Sequence, residues 1–269
     1  LTNVFKKYPI DGVIHFAAFK AVGESVEKPL KYYQNNINSL LCLIELMDKH
    51  GVENLVFSSS CTVYGEADYL PVSEDHPMKK AKSPYGFTKQ VCENIIRDCL
   101  KAKKIKNAAT LRYFNPIGAH SSGLIGELPI GTPNNLIPFI TQTAMGIRTC
   151  LTIFGDNYNT PDGTCIRDYI HVMDLADAHV RSLITMSENN TSFTLNVGTG
   201  KGHSVLEVIK SFEKVNQLKL NYKIGPKRDG DIEQIYAATD LAEKTLKWKP
   251  KYSIDQAMKD AWRWQKNLA

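Results

Sequence analysis

The stretch SPYGFTK, at positions 83–89, places Tyr85 and Lys89 four residues apart. On a helix this spacing puts both side chains on one face. A phenol with a pKa of about 10 is a poor base at neutral pH, but a close ammonium together with a positively charged cofactor favours the phenolate. A serine such as Ser60 can then orient or relay the proton of a substrate alcohol. The pattern is equally compatible with this chemistry and with a packed tyrosine beside a solvated lysine.

The elements that must position these residues alternate between short apolar runs and amphipathic stretches. The runs DGVIHFAA, ENLVFSSS and AATLRYFN are typical of buried strands. The stretches at 35–51 and 83–104 are typical of helices, with Ser83 and Pro84 suited to begin the second one. This order predicts an α/β fold with a Rossmann-like doubly wound parallel sheet, whose strand ends bring Ser60, Tyr85 and Lys89 to one crevice.

A change in amino-acid composition and periodicity after Asn115 predicts a second structural unit. Residues 116–135 are rich in Gly, Pro and Ser without a regular period, which indicates a long loop with a binding role. Shorter mixed elements follow, so we expect a dinucleotide-binding domain over 1–115 and a smaller mixed α/β substrate domain over 116–269. The segment 165–182 is expected to pack back on the first domain. VGTGKG, at 197–202, departs from the G-x-G-x-x-G pattern, which favours a structural turn.

The composition and charge of the chain limit the classes of binding partner that the sequence predicts. The net charge is only +5 and the basic residues are dispersed, so no nucleic-acid partner is predicted. The six cysteines show no metal-ligand spacing, which predicts no metal site and indicates buried thiols in a reducing, cytoplasmic compartment. No apolar run approaches about 18 residues, so no membrane partner is predicted. The chain begins at Leu1 in what is typical of a helix end, and we expect it to be the remainder of something longer.

Six motifs carry a resemblance to a known family. They are HFAAFKAVGESVEKPLKYYQNN, FSSSCTVYG, SPYGFTK, LRYFNPIGAH, TPNNLIPFI and DGTCIRDYIHVMDLADAH. Together they resemble the extended short-chain dehydrogenase/reductase family and, within it, the enzymes that invert C4 of UDP-hexoses. The resemblance runs almost without gaps from Val13 to Trp264. It favours the catalytic interpretation of Tyr85 and Lys89.

The resemblance implies a reversible, NAD-dependent epimerisation of UDP-glucose and UDP-galactose through a 4-keto intermediate, as used in galactose metabolism. Tyr85 would take the proton of the 4-hydroxyl while NAD takes the hydride from C4. Lys89 would hold the nicotinamide ribose and lower the Tyr85 pKa, and Ser60 would hydrogen-bond the 4-oxygen. A homodimer formed through the helices that start near Asn36 and Ser83 is implied as well.

Further site residues follow from the same resemblance, motif by motif. The residues expected to contact NAD are Phe16, Ala17, Lys20, Asn35, Ser58, Tyr85, Lys89 and Tyr113. The residues expected to contact the UDP-hexose are Lys20, Ser60, Tyr85, Asn115, Asn135, Leu136, Phe154, Arg167, Arg228, Asp231 and Ile235. Ile235 is expected to gate the sugar pocket and to disfavour N-acetylated hexoses, unless its side chain faces the core.

A departure from the family pattern leaves a second function open. The family's Gly-rich dinucleotide loop lies upstream of the matched region and this chain contains no such loop. We therefore expect the chain to lack the pyrophosphate half of the NAD site, and a non-catalytic UDP-sugar-binding remnant is the alternative. A nucleotide-sugar dehydratase and a nucleotide-sugar decarboxylase share the fold and are also considered. Both are disfavoured because Cys61 and Thr62 stand where those enzymes carry acidic or basic groups.

Overall fold

The computed structural model describes residues 1–228 and 231–268. In chain order the elements are α1 (Thr2–Lys7), β1 (Gly12–His15), α2 (Val22–Glu27), α3 (Pro29–His50), β2 (Asn54–Ser58), a 3-10 helix (Cys61–Tyr64), α4 (Pro84–Lys101), β3 (Asn107–Tyr113), β4 (Asn115–Ile117), α5 (Leu136–Ala144), β5 (Leu151–Phe154), β6 (Ile166–His171), α6 (Val172–Asn189), β7 (Phe193–Val197), β8 (Gly202–Ser204), α7 (Val205–Asn216), β9 (Tyr222–Gly225), β10 (Gln234–Ile235), α8 (Asp240–Leu246) and α9 (Ile254–Asn267).

Strands β1, β2, β3 and β7 form one parallel sheet in that spatial order. Phe57 of β2 lies opposite His15 of β1 and Thr110 of β3. Helices α3 and α4 build the core on one face of this sheet, and α6 and α8 build the core on the other. Strands covered on both faces read as continuous apolar runs, as the sequence predicted. The prediction of a Rossmann-like, doubly wound parallel sheet is confirmed.

Local sequence signals fix the ends of the helices that flank the motif. The Ser83 hydroxyl accepts a hydrogen bond from the Gly86 N–H at 3.1 Å and thereby caps α4, while Pro84 occupies its first turn. Helix α3 also begins with a proline, and it ends at Gly51 in the left-handed conformation (φ 68°). The start of α4 at Ser83 and Pro84 and the end of α3 at Gly51 were predicted from the sequence, whereas α3 begins at Pro29, before the predicted start at 35. They determine where Tyr85 sits relative to the end of β2.

The remaining strands belong to a smaller mixed unit. β4, β6 and β10 pair in parallel, β8 runs antiparallel to β6, and β5 pairs with β9. Helices α5, α7 and α9 supply most of the core of this unit, where Phe212 and Ile140 are fully buried. The predicted smaller α/β unit is therefore present, and the 116–135 segment is irregular beyond β4 as expected.

The division between the two units differs from a single cut after residue 115. The segment expected to pack back was 165–182, but the return extends further along the chain. β7 pairs with β3 of the first sheet, and Leu246 of α8 and Trp248 lie in its core. β7 completes the first sheet because its backbone pairs in parallel with β3 while Leu195 and Val197 are buried in the same core. Among the described residues, no helix is long and apolar enough to cross a membrane.

Candidate active site

The carboxyl end of β2 holds the predicted serine. Ser60 follows the strand closely and is the N-cap residue of the 3-10 helix. Its hydroxyl oxygen accepts hydrogen bonds from the Thr62 N–H at 3.2 Å and from the Thr62 hydroxyl at 3.0 Å. With its lone pairs used by Thr62, the Ser60 hydroxyl proton remains available to a neighbouring oxygen. The local backbone therefore orients Ser60 as a donor.

The first turns of α4 bring Tyr85 and Lys89 beside the same strand end. Both side chains are buried. The Lys89 ammonium donates to the Ser58 carbonyl at 2.7 Å and lies 5.0 Å from the centre of the Phe57 ring. It lies 5.9 Å from the centre of the Tyr85 ring. The structure thus brings the three predicted catalytic residues together, as the parallel-sheet argument required.

The protonation of Tyr85 departs from the expectation that Lys89 lowers its pKa. Burial raises the pKa of the Tyr85 phenol far above its ordinary value, and a hydrogen bond with Ser60 opposes this rise only in part. Burial also lowers the pKa of Lys89 to about 8. The protein's own groups therefore leave Tyr85 protonated at neutral pH, because the loss of solvation outweighs the hydrogen bond with Ser60. The predicted activation depends on the second positive charge, that of the cofactor.

A buried histidine that the sequence reasoning missed supports this site. The His179 Nδ1–H donates to the Leu175 carbonyl at 2.8 Å, so Nε2 accepts from the Ser58 hydroxyl at 2.9 Å. Burial lowers the pKa of His179 to about 4, which keeps the ring neutral. The ring of Phe16 packs against it with centroids 4.4 Å apart. His179 ends the motif DLADAH, but nothing in its spacing shows that it reaches Ser58.

These residues fit the nicotinamide riboside half of NAD. Lys89 is a buried ammonium beside the end of a parallel strand, where hydroxyl groups of a ribose can accept its hydrogen bonds. Phe16 is 52% exposed at the end of β1 and offers an apolar face beside the neutral His179. Ala17 is exposed next to it, and Tyr113 is half-buried with its ring 6.0 Å from that of His179. The predicted cofactor residues Phe16, Ser58 and Tyr113 thus cluster around His179.

The remaining predicted cofactor residues lie at the rim. Asn35 is exposed, and its amide donates to Asn36 at 3.0 Å. The Lys20 ammonium is also exposed, and it forms an ion pair with Glu127 at 2.9 Å. Glu127 at the same time accepts from the amide of Asn135 at 2.7 Å. Lys20 and Asn135 are therefore brought together, through a carboxylate that the sequence did not single out.

A second cluster unites three residues predicted to hold UDP. The Arg228 guanidinium lies 4.6 Å from the centre of the Phe154 ring and makes two hydrogen bonds, at 3.1 and 3.2 Å, to the Asp231 carboxylate. The Arg167 guanidinium donates to the carbonyls of Ile166 and Glu233. An arginine stacked on an exposed aromatic ring is suited to a nucleotide. Positions 229 and 230 lie outside the described residues.

The charge of Arg167 connects this cluster with the catalytic group. It opposes the burial-driven rise in the pKa of Cys61, which follows Ser60, and of Tyr169, whose pKa also responds to Arg228. Asn115 in β4 lies opposite Tyr169 of β6, and Leu136 begins α5 and packs on the core of the smaller unit. Asn115, Leu136 and Arg167 therefore belong to the smaller unit, and the charge of Arg167 reaches the residue that follows Ser60.

Ile235 does not face open space. Its side chain is 2% exposed and belongs to an apolar cluster that includes Cys61, Val63 and Phe114. β10 pairs with β6, which directs this side chain inwards. This burial favours the alternative that Ile235 faces the core, and its role as a gate of the sugar pocket stays a prediction.

The VGTGKG loop binds a protein carboxylate. Asp168, which is fully buried, accepts from the N–H groups of Thr199 at 2.8 Å and Gly200 at 3.0 Å. A Cβ at Gly198 would lie 2.4 Å from the same carboxylate. The backbone donors that a phosphate would need are thus occupied by Asp168. This agrees with the prediction of a structural turn.

A buried ion pair beneath the site was also missed. Arg112 of β3 and Glu93 of α4 form two hydrogen bonds, at 3.1 and 2.8 Å, and both side chains are almost completely buried. Glu93 also accepts from the Ser59 hydroxyl at 2.5 Å. The pair ties the helix of Tyr85 to the strand end of Ser60. The signal was present in the sequence, because a charge inside an apolar strand needs a partner.

Comparison with known proteins decides between the candidate families. Residues 1–261 match the family model described as GDP-mannose 4,6 dehydratase. The mouse (Mus musculus) UDP-glucose 4-epimerase is 50% identical over 266 residues, which cover 99% of this chain and 77% of that protein. The chain belongs to the family that this model describes, and within that family it belongs to the UDP-glucose 4-epimerases.

Solved structures of this family have the same fold. The UDP-glucose 4-epimerase of Stenotrophomonas maltophila, with bound NAD and formylated UDP-arabinopyranose, superposes with a TM-score of 0.95 at 47% identity. The enzyme of Bifidobacterium longum, in complex with NAD+ and UDP, superposes with a TM-score of 0.93 at 46% identity. Each match covers 99% of this chain and 79% of the other chain. The family prediction made from the sequence motifs is confirmed.

Proposed function

We propose that this protein catalyses the NAD-dependent interconversion of UDP-glucose and UDP-galactose by inverting C4 of the hexose, a reaction of galactose metabolism. The convergence of Ser60, Tyr85 and Lys89 at the end of β2 carries the proposal. It is supported by about 50% identity to UDP-glucose 4-epimerases. A non-catalytic UDP-sugar-binding role gives no reason for this buried set of proton-transfer groups.

The chain's own residues supply the proton chemistry. Tyr85 takes the proton of the 4-hydroxyl as the sugar is oxidised and returns it when the 4-keto group is reduced. Ser60, fixed as a donor by Thr62, hydrogen-bonds the 4-oxygen. The Lys89 cation stabilises the phenolate and binds the ribose. The chemistry supplied by bound NAD is acceptance of the C4 hydride and its return to the opposite face, together with a positive charge near Tyr85.

The junction between the units is proposed to hold the nucleotide. Arg228, stacked on Phe154, and Arg167 supply positive charge for the diphosphate. Asp231 is placed to accept from a ribose hydroxyl once Arg228 turns to the ligand. Asn115, Asn135 and Leu136 complete this side of the cleft, as their motif positions imply.

A dehydratase is disfavoured by the residues that follow Ser60. Elimination of water needs an acid and a base beside the sugar. Burial raises the pKa of the Cys61 thiol to about 12, and the Thr62 hydroxyl donates to Ser60. Neither group is suited to proton transfer at neutral pH. The broad dehydratase family model therefore does not determine the reaction.

Tyr85→Phe tests the proposal. The variant removes only the phenol oxygen, so we expect epimerisation of UDP-galactose to fall by about 10²–10⁴-fold while the dissociation constant of UDP stays unchanged. The coupled rate and a calorimetric titration with UDP measure the two quantities on one preparation. Near-normal turnover of the variant would contradict the assignment of Tyr85.

We also propose a homodimer formed through α3 and α4. Phe87 is exposed on α4, and its ring meets that of Tyr33 of α3 edge-on at 6.2 Å. Leu30 and Leu41 of α3 are exposed as well, so apolar surface lies on both helices.

We expect Phe87→Asp to convert a dimer to a monomer in sedimentation equilibrium. The matched control Ile184→Asp alters an exposed residue of α6 and should leave the mass unchanged; equal masses for both variants would argue against this face.

The proposed location is the cytoplasm. All six cysteines are free thiols, and three of them are buried. Free thiols in apolar surroundings suit a reducing compartment.

A further inference from the structure

Glu127 joins the two halves of the cleft through one oxygen atom. Its Oε1 accepts from the Lys20 ammonium at 2.9 Å and from the Asn135 amide at 2.7 Å. Lys20 follows β1 of the first sheet, whereas Asn135 precedes α5 of the smaller unit. The side chains of Lys20 and Glu127 are 61% and 34% exposed. The bridge therefore lies at the mouth of the cleft, within reach of an entering ligand.

Glu127 draws Asn135 away from its usual local role. Asn135 is the N-cap residue of α5, a position where an asparagine side chain normally accepts a hydrogen bond from its own helix. Here the side chain makes no such bond. Its amide donates to Glu127 instead. The carboxylate thus holds a donor that faces the cleft.

The backbones on both sides of the bridge are fixed. The Trp264 indole N–H donates to the Glu127 carbonyl at 3.0 Å. On the other side, the N–H of Phe19 donates to Asn36 at 2.8 Å and the N–H of Ala21 donates to the Tyr32 hydroxyl at 3.1 Å. The side-chain heads can therefore exchange partners without any movement of the chain.

We propose that Glu127 is a built-in competitor for the diphosphate of a nucleotide ligand, occupying the donors of Lys20 and Asn135 that the diphosphate must take over. This rests on the proposed function, which assigns Asn135 to nucleotide binding, and on the family resemblance, which implies that Lys20 contacts NAD and the UDP-hexose. An ammonium and an amide N–H are donors for phosphate oxygens as much as for a carboxylate. The negative Glu127 opposes an entering diphosphate until its bridge opens. Glu127 thereby lowers affinity for phosphate-bearing ligands and leaves a bare nucleoside unaffected.

Glu127→Gln tests this competition. Glutamine keeps an oxygen that can accept from Asn135 but loses the charge that holds Lys20. Exposed ion pairs are weak, so we expect the dissociation constant of UDP or of NAD to fall by about two- to fivefold at low ionic strength. The gain should shrink in high salt. Titration with uridine should give equal constants for both proteins.

Two comparisons separate competition from a general structural effect. The control Glu53→Gln removes a similar exposed pair, Glu53 with Lys106 at 3.0 Å, at the amino ends of β2 and β3. It should leave nucleotide affinity unchanged. In a Lys20→Met background, Glu127→Gln should no longer tighten binding, because the donor in dispute is gone.

Separate titrations with UDP and with NAD identify which ligand supplies the diphosphate. If Glu127→Gln binds UDP more tightly, the competing diphosphate is that of the substrate. If it binds NAD more tightly, the competing diphosphate is that of the cofactor. Unchanged or weaker binding of both, or an equal gain in the Lys20→Met background, overturns the proposal. If Glu127→Gln binds UDP more tightly than wild type does, but the wild type does not epimerise, the proposed reaction fails and the competition stands. If it epimerises without the effect, the competition fails alone.

Discussion

At the residue scale, the protonation of Tyr85 and Lys89 controls the chemistry. Both are buried, and burial favours the neutral form of each. The two shifts have opposite consequences: Tyr85 keeps its proton more firmly, while Lys89 loses its proton more easily. A proton-transfer site that depends on the Lys89 cation is therefore sensitive to alkaline pH.

We predict an alkaline limit to activity set by Lys89. Its pKa is lowered to about 8, so the cation that stabilises the Tyr85 phenolate is lost as pH rises through that value. The dependence of kcat/KM on pH, which reports groups of the free enzyme, should fall above about pH 8. In Lys89→Met the rate should drop at all pH values and this limb should disappear. Persistence of the limb in the variant would assign it to another group.

The convergence of Ser60, Tyr85 and Lys89 could be predicted from the strand ends, but their types and spacing were equally compatible with packing, and only the family motifs favoured catalysis. Their positions relative to each other followed from the parallel sheet. The Tyr85 pKa was not predictable, because it depends on burial in the folded chain and on the electrostatic influence of groups such as Tyr113 from another element. A motif position likewise does not reveal that the two-residue strand β10 turns the Ile235 side chain towards an apolar cluster.

At the element scale, α9 holds the irregular segment that follows β4. Arg263 donates to the Ser121 carbonyl, Asn267 donates to the Gly123 carbonyl at 2.9 Å, and Trp264 donates to the Glu127 carbonyl. The sequence predicted a loop with a binding role at 116–135. It could not show that the terminal helix fixes this loop, because these bonds join residues more than a hundred positions apart.

Gly126→Ala should release this anchoring. A Cβ at Gly126 would lie 2.3 Å from the Trp264 ring, so either the loop or the indole must move. Overpacking of this kind typically costs about 1–3 kcal/mol of unfolding free energy. We expect Gly126→Ala to lower that free energy by this amount and to weaken UDP binding, as measured by urea unfolding and calorimetry.

Gly23→Ala is the matched control for this change. A Cβ there meets no atom within 4 Å, and Gly23 lies within α2, where alanine is the better helix former. It should leave stability equal or slightly higher. A Gly126→Ala protein as stable as Gly23→Ala would show that the Trp264 contact does not hold the loop.

At the scale of the whole molecule, the active site forms where the two units interlock. β7 and α8 come from the second half of the sequence but complete the first sheet and its core. Parallel pairing between strands this far apart is visible in the sequence only as a short apolar run, which is why the boundary at 115 was too simple. The fold class and most element types were predictable from periodicity and helix signals alone.

This interlocking buries His15 and His179 near the Lys89 site, and it makes the molecule sensitive to acid. Burial lowers the pKa of each histidine to about 4, with the Lys89 charge contributing at His15. In the unfolded chain a histidine takes its proton near about pH 6.5. Between these values the unfolded state binds more protons, so stability is lost as pH falls from about 6.5 to about 4.

We therefore expect the free energy of unfolding in urea to fall by roughly 1 kcal/mol per pH unit for each of these histidines across that range. His179→Gln should be less stable at pH 7, because the Ser58 and Leu175 contacts change, but its loss of stability on acidification should be shallower. His120→Gln, in the half-buried loop after β4, is the control and should keep the wild-type slope. The slope rather than the absolute stability decides the matter: equal slopes for wild type and His179→Gln would mean that the acid response arises from carboxylates alone.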